Sequence, residues 1–226
     1  MILVTGATGT VGRQVVAQLL EVGATVRGLT RDPGSGSARL PAGAEVVAGD
    51  LAVPDGLGAA LAGVDTVFLV WPTLSADHAA PATIEAITKH ARRVVYLSAN
   101  GASEEAGSIL GSHAMIERLI RSSGAEWTFL RPGGFASNTL MWAPQIRSTG
   151  VVRWVYGAAR RSLIHERDIA AVGVRALTED GHADATYVLT GPASITQVEQ
   201  VAAIGAAIGR DLRFEEVTPE DARKEL

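Results

Sequence analysis

The stretch Met1-Ile2-Leu3-Val4-Thr5-Gly6-Ala7-Thr8-Gly9-Thr10-Val11-Gly12 constrains this chain more than any other. A short apolar run ends in glycines at positions 6, 9 and 12, and an amphipathic run, Thr10–Glu21, follows at once. A glycine at the end of a strand allows a sharp turn. The next lets backbone approach a bulky anion with no Cβ in the way, and the third lets the helix lie close on the sheet. The start of that helix offers unpaired N–H groups and the positive end of its dipole. Strand, glycine turn and helix in this order imply a cradle for the diphosphate of a dinucleotide, built from Gly6, Thr8, Gly9, Thr10, Val11 and Gly12. The plain alternative is a glycine-rich turn that holds nothing.

The rest of the chain repeats the same alternation. Strand-like runs fall at Ile2–Thr5, Thr25–Thr30, Ala44–Ala48, Thr66–Trp71, Arg93–Ser98 and Trp127–Arg131. They are continuous, rich in Val and Leu, and lack strict polar alternation, as strands covered on both faces do. Helix-like runs lie between them at Thr10–Glu21, Asp55–Leu61, Ala79–His90 and Ile109–Ser122, and Gly23, Gly63 and Gly124 stand just past helical runs as left-handed caps. Pro33–Arg39, rich in Gly and Ser, reads as a loop in place of a crossover helix. The pattern predicts an α/β fold: a doubly wound, mainly parallel sheet of the Rossmann type.

After Arg131 the rhythm changes. Extended segments are expected at Val151–Val155, Ser162–His165, Thr186–Leu189 and Leu212–Val217, with helices at Asp168–Leu177 and Ser194–Ile208. Asp168 is expected to cap its helix. A capping box at the second helix pairs either Ser194 with Gln197 or Thr196 with Glu199. Thr218-Pro219-Glu220-Asp221 opens a last helix. The expectation is one domain over 1–226, with a small substrate-facing part mainly at 133–226.

Composition narrows the functional classes. Hydrophobic residues make up 47 % of 226, enough for a sizeable core. The net charge of −4, with no block of Lys and Arg, argues against a nucleic-acid partner. The absence of cysteine excludes disulfides and thiolate chemistry. The longest apolar stretch, Val64–Pro72, is too short to cross a bilayer, and Met1 enters a strand with no room for a signal peptide. A cytoplasmic protein acting on a small molecule is expected, with no membrane partner and a homodimer left open. His78, His90, His165 and His182 show no ligand spacing, so no metal is expected.

The second strand bears on which dinucleotide is bound. NAD readers usually end it with an acid for the ribose 2′-hydroxyl. Here Val26-Arg27-Gly28-Leu29-Thr30 is followed by Arg31, whose guanidinium suits a 2′-phosphate, and Asp32 comes one residue later. NADP(H) is therefore expected over NAD(H), unless Arg31 is only a solvated charge. Asp50 and Leu51 follow the third strand, where the carboxylate meets the adenine edge or caps a helix. Val70, Trp71 and Pro72 end the fourth strand at the sheet edge that faces ligands in such folds.

Several segments together resemble the NmrA-like branch of the atypical short-chain dehydrogenase/reductases. They are ILVTGATGTVG and VRGLTRDP within Met1–Pro33, VVYLSANGA (Val94–Ala102), SHAMIERLIRSSGAEWTFLRPGGFASN (Ser112–Asn138), HERDIAAV (His165–Val172) and YVLTGPASIT (Tyr187–Thr196). The resemblance covers nearly the whole chain. It implies a Rossmann core with a small, mostly C-terminal substrate part. It also implies NADPH-dependent reduction of a quinone-like or other electron-poor conjugated molecule, or else a non-catalytic NADP(H) redox sensor acting on a protein partner. The segment holding Gly133 and Phe135 then lies against the nicotinamide, and Asn138 faces the substrate.

Short-chain dehydrogenases use Tyr-x-x-x-Lys, which puts a proton donor and its activating cation on one helix face. The matching helix here carries His113 and Glu117 at that spacing, and Ser98 stands where the family has a strand-end Ser or Thr. His113 titrates near neutrality, and Glu117 one turn on would favour its protonated form, making it a candidate acid. The bland alternative is a surface His–Glu pair. Phe135, Met141, Trp142, Trp154 and Tyr156 are candidates to line an apolar pocket, with at least two of them expected to be core; Phe135, Asn138 and Trp142 are the substrate-contact candidates.

Overall fold

The computed structural model describes residues 1–71, 78–105 and 108–225. They divide into two compact units, one of residues 1–133 and 166–189, the other of residues 134–165 and 190–226.

The first unit is built on seven strands: β1 (Ile2–Val4), β2 (Val26–Thr30), β3 (Glu45–Ala48), β4 (Thr66–Leu69), β5 (Arg93–Leu97), β6 (Glu126–Pro132) and β9 (Ala185–Leu189). They lie in the order β3-β2-β1-β4-β5-β6-β9 with every pairing parallel. Strand order reverses between β1 and β4, the switch point beyond whose strand ends open α/β sheets bind ligands. Helix α1 (Thr10–Glu21) packs on α7 (Glu166–Thr178), and α4 (Ala80–Thr88) packs on α5 (Ser108–Arg121). The sheet strands are almost wholly buried: Val67, Phe68, Val94, Val95, Tyr96, Phe129 and Leu130 have no exposed surface. This is why the runs read from sequence showed no polar alternation. Arg121, in the last turn of α5, lies 4.8 Å over the rings of both Trp127 and Phe129, helping to dock that helix on β6.

Several expectations are corrected. Pro33–Arg39 is a helix, α2, not a loop. Asp32 caps it, accepting from the amides of Gly34 (3.0 Å) and Ser35 (3.4 Å), and Pro33 sits at its first position. Gly36 there serves close packing: a Cβ would lie 2.7 Å from Thr30 Cγ2. Asp168 does not cap α7, which begins two residues earlier; it shares the first turn with Glu166, where acids complement the helix dipole. Ser162–His165 forms no strand, and only Ile164 bridges to Phe135. Residues 166–189, expected within the substrate-facing part, belong to the first unit as α7 and β9. Gly23, Gly63 and Gly124 hold positive φ as expected.

The second unit carries a short helix, α6 (Ala143–Ser148), and a longer one, α8 (Gln197–Ile208). Strand β7 (Val151–Trp154) pairs in parallel with β11 (Arg213–Glu216). Strand β8 (Arg160–Arg161) pairs antiparallel with β10 (Ile195–Thr196). Of the two capping boxes considered, Thr196 with Glu199 is the one formed. Trp142, Ile146, Val152 and Val201 make this unit's core, with Trp154 packed against them. The described residues contain no helix long and apolar enough to cross a membrane.

Candidate active site

The turn from β1 into α1 has the shape of an anion cradle. Gly6 adopts φ +58, and a Cβ on it would lie 2.9 Å from Val70 Cβ. A Cβ on Gly12 would lie 2.2 Å from the Gly6 carbonyl oxygen, so α1 rests directly on the turn. No side chain caps α1 and its first turn holds no acid. Its leading amides, at Thr10, Val11 and Gly12, therefore have no partner from within the helix and face no competing carboxylate there. The Thr5 hydroxyl ties β1 to β4, donating to the Val70 carbonyl (2.9 Å) and accepting from the Val70 amide (2.7 Å).

Beside the cradle a cleft of about 280 Å3 is lined by Gly6, Thr8, Arg31, Asp50, Leu51 and Val70, all named from sequence. It is also lined by Asp32, Ser35 and Arg39, which sequence reasoning missed. A loop over 33–39 would place neither Ser35 nor Arg39 near Arg31; the helix α2 does. The Asp32 cap was the available signal, since Asp-Pro ahead of small residues is a helix opening. Hydrogen bonds from Ser35 hold the Asp32 carboxyl below the usual carboxylate range. Among the described residues Arg31 makes no ion pair. Asp50 Oδ1 accepts from the Ala52 amide at 2.9 Å, so the carboxylate both shapes its turn and lines the cleft. Trp71 follows β4 and is partly buried; Pro72 lies outside the described residues. Gly133, just past β6, donates its amide to the Leu189 carbonyl at 2.9 Å.

Two of the three catalytic candidates, Ser98 and Glu117, share one network in the first unit. Glu117 is 1 % exposed and Ser98 4 %. The Ser98 hydroxyl donates to Glu117 Oε1 at 2.6 Å. Arg131 closes a fork on the same carboxylate, Nε to Oε1 at 2.8 Å and Nη2 to Oε2 at 2.6 Å. Three distant segments, the end of β5, the middle of α5 and the end of β6, are thereby pinned to one carboxylate. Arg131 was not among the sequence candidates, because nothing local marks a strand arginine as the partner of a helix acid.

His113 departs from its expected role. Its Nδ1 lies 2.6 Å from the hydroxyl of Tyr96, a β5 residue with no exposed surface. Burial lowers the His113 pKa below its ordinary value, outweighing the opposing charge of Glu117. Glu117 is already committed to Arg131, so it does not make His113 an acid. Burial, with the Glu117 charge second, raises the Tyr96 phenol well above its usual range, so it stays protonated. A buried phenol must place its proton, and Nδ1 is its partner among the described residues. Tyr96 therefore donates, and the imidazole keeps its own proton on Nε2.

This has a measurable consequence. The unfolded chain takes up a proton on this histidine near pH 6.5, and the folded chain only at lower pH. The stability contributed by neutral His113 is complete above that value and is lost as pH falls below it. Thermal melts between about pH 8 and pH 5 should fall more steeply with acid for the wild type than for His113→Asn. Equal slopes would refute the assignment.

In the second unit, Phe135, Met141, Trp142, Trp154 and Tyr156 all line one cavity of about 610 Å3, together with Asn138. Trp142 is 3 % exposed and doubles as core, while Trp154 is partly buried and packs against that core, so one of the five is core where at least two were expected.

The model of an NAD(P)H-binding family matches residues 6–180. The chain is 45 % identical over its whole length to the (4-alkanoyl-5-oxo-2,5-dihydrofuran-3-yl)methyl phosphate reductase of Streptomyces griseus, covering 80 % of that protein. It is 38 % identical, again over its whole length and 80 % of the relative, to the NAD(P)H azoreductase of Xenophilus azovorans. Among solved structures, the NADPH-dependent quinone oxidoreductase QOR2 of Escherichia coli, complexed with NADPH, superposes with a TM-score of 0.85 at 25 % identity, over 98 % of this chain and 80 % of that one. The glycine cradle, the all-parallel sheet and these relatives lead to one conclusion: the chain belongs to the NAD(P)H-binding family, in its NmrA-like, atypical short-chain dehydrogenase/reductase branch, and is an oxidoreductase.

Proposed function

We propose that this enzyme uses NADPH to reduce an electron-poor conjugated small molecule. The observation that carries the cofactor choice is the basic cleft beside the glycine cradle, where Arg31, Arg39 and Ser35 meet while the Asp32 carboxylate is turned to its own helix. The substrate class draws on the relatives: an unsaturated lactone, an azo compound and a quinone all present a polarised, conjugated double bond to a reductant. When bound, the nicotinamide supplies a hydride.

The chain's own residues supply binding and orientation. Gly6, Thr8, Gly9, Thr10, Val11 and Gly12 hold the diphosphate, and Arg31 with Arg39 holds the 2′-phosphate. Asp50, Leu51, Val70, Trp71 and Gly133 complete the cofactor's surroundings. Phe135, Asn138 and Trp142 contact the substrate. Glu117 is a positioning residue that fixes Ser98 and Arg131. His113 acts as a neutral Nε2–H donor, which steadies charge developing on the acceptor without requiring an imidazolium.

The test is to follow loss of nicotinamide absorbance with NADPH and NADH against a quinone, an azo dye and an unsaturated lactone. NADPH should be consumed with at least one of them and preferred over NADH. Arg31→Ala should weaken NADPH by roughly ten- to hundredfold, the worth of one lost charge-assisted phosphate contact, while sparing NADH. Failure to oxidise either cofactor with any acceptor overturns the substrate reading. Equal losses for both cofactors overturn the NADPH preference.

A further inference from the structure

We propose that the cavity of the second unit is a receptor for acceptors bearing an anionic oxyacid group, and that Arg161 binds that group. For its substrate this rests on the reductase reading above; for its ligand chemistry it rests on the cavity itself. The volume, about 610 Å3, suits a small organic ligand. Aromatic side chains supply flat surface for a conjugated body, and among the described residues no Asp or Glu lines the wall. Among the described residues the one charged member of the lining is Arg161.

Strand alternation explains why that charge is available. Arg160 and Arg161 form β8, so their side chains leave opposite faces. Arg160 is committed: its Nη2 donates to the Ser194 carbonyl at 2.6 Å and lies 3.5 Å from Glu199. Arg161 lines the cavity and, among the described residues, has no hydrogen-bond or ion-pair partner. It is also exposed, so its planar fork of donors stays hydrated until an oxyanion displaces the water.

Two further features mark the wall as built for a ligand. Tyr156 holds a left-handed backbone (φ 59), a costly conformation for an aromatic residue. It is held there by Gln197, 8 % exposed, whose amide donates to the carbonyls of Val155 and Tyr156, both at 2.9 Å. The buried indole N–H of Trp142, also in the wall, finds no acceptor among the described residues. A guanidinium that, among the described residues, has no ion-pair partner and no carboxylate beside it in the lining repels organic cations, leaves neutral molecules ungripped and rewards phosphate, sulfonate or carboxylate.

Two measurements test this. The first is turnover of methyl red, a carboxylate azo dye, against its neutral methyl ester. The wild type should favour the acid in kcat/KM. Arg161→Gln should lower the acid-to-ester ratio by roughly tenfold or more, and Arg161→Lys should recover most of it. The second needs no turnover: calorimetric titration of the full chain with 2-naphthyl phosphate, 2-naphthalenesulfonate, 2-naphthoate and methyl 2-naphthoate. Tighter binding of any of the anions than of the ester, lost in Arg161→Gln, supports the site, and the tightest of the three identifies the oxyacid. Arg161-dependent binding with no reducible acceptor found would support the site while sinking the reductase reading. An ester bound as tightly as every anion, or equal losses for acid and ester in Arg161→Gln, overturns the proposal.

Discussion

Gly12→Ala is expected to abolish measurable nucleotide binding, a loss of at least about a hundredfold in affinity. The new Cβ would stand 2.2 Å from the Gly6 carbonyl oxygen and 2.8 Å from its carbon. Both are backbone atoms, so no rotamer change relieves the clash. Either α1 lifts from the sheet or the turn moves outward, and overpacking of this kind typically costs about 1–3 kcal/mol, more where backbone must shift. The cradle amides sit on the segment that moves, so binding suffers beyond stability. Gly9→Ala is the comparison: its Cβ would be 3.1 Å from the same oxygen, which a shift of a few tenths of an ångström accommodates. It should keep the fold and bind more weakly than wild type but far better than Gly12→Ala. Calorimetric titration with NADPH, alongside circular dichroism to verify folding, decides the matter. Affinity of Gly12→Ala within threefold of wild type would remove the packing argument.

Glu117→Leu is expected to produce the largest loss of stability. It strands the Arg131 guanidinium beside an apolar side chain and leaves the buried Ser98 hydroxyl without its acceptor. Breaking a buried pair by removing one partner costs about 3–5 kcal/mol. Arg131 keeps 23 % of its side chain exposed, so the lower end applies. At roughly 2–4 °C per kcal/mol for a chain of this length, the melting temperature should fall by roughly 6–12 °C. Adding Arg131→Met should recover much of that loss, because a well-packed apolar pair dispenses with the desolvation cost of both charges. A double variant as unstable as the sum of its singles would show that the fork is not the reason. Activity carries separate information. If Glu117 positions Ser98, the recovered double variant stays slow in kcat although its melting temperature has returned.

Most of the sheet was legible because it is written locally. The six strands read from the first 131 residues are continuous apolar runs in which one neighbouring stretch carries the whole signal. The misreadings arose where local composition and long-range packing disagree. The glycines of Pro33–Arg39 look like a loop, yet one of them makes room for Thr30 and the segment coils under an Asp32 cap. The capping box at Thr196 was one of two equal options until the backbone of β10 placed the helix start there.

The candidate site divides the same way. The glycine spacing and Arg31 sit within one strand–turn–helix–strand stretch, so the nucleotide cradle and its basic neighbour could be named from sequence. His113 and Glu117 could be named as a spaced pair, but not what each does. Tyr96 and Arg131 lie on strands of their own, and it is they that hold the His113 ring and tie up the Glu117 carboxylate. Likewise the two arginines of β8 are identical in sequence, and only the pairing with β10 shows which one is spent.

Sequence alone determined the elements whose signal is contiguous: an α/β sheet opened by a glycine cradle for a dinucleotide. Tertiary structure decided the charge states and partners of the side chains, because these depend on burial and on groups tens of residues away. Desolvation at His113 outweighs the nearby Glu117 charge only because that helix face is packed against β5, a fact no spacing within the helix contains.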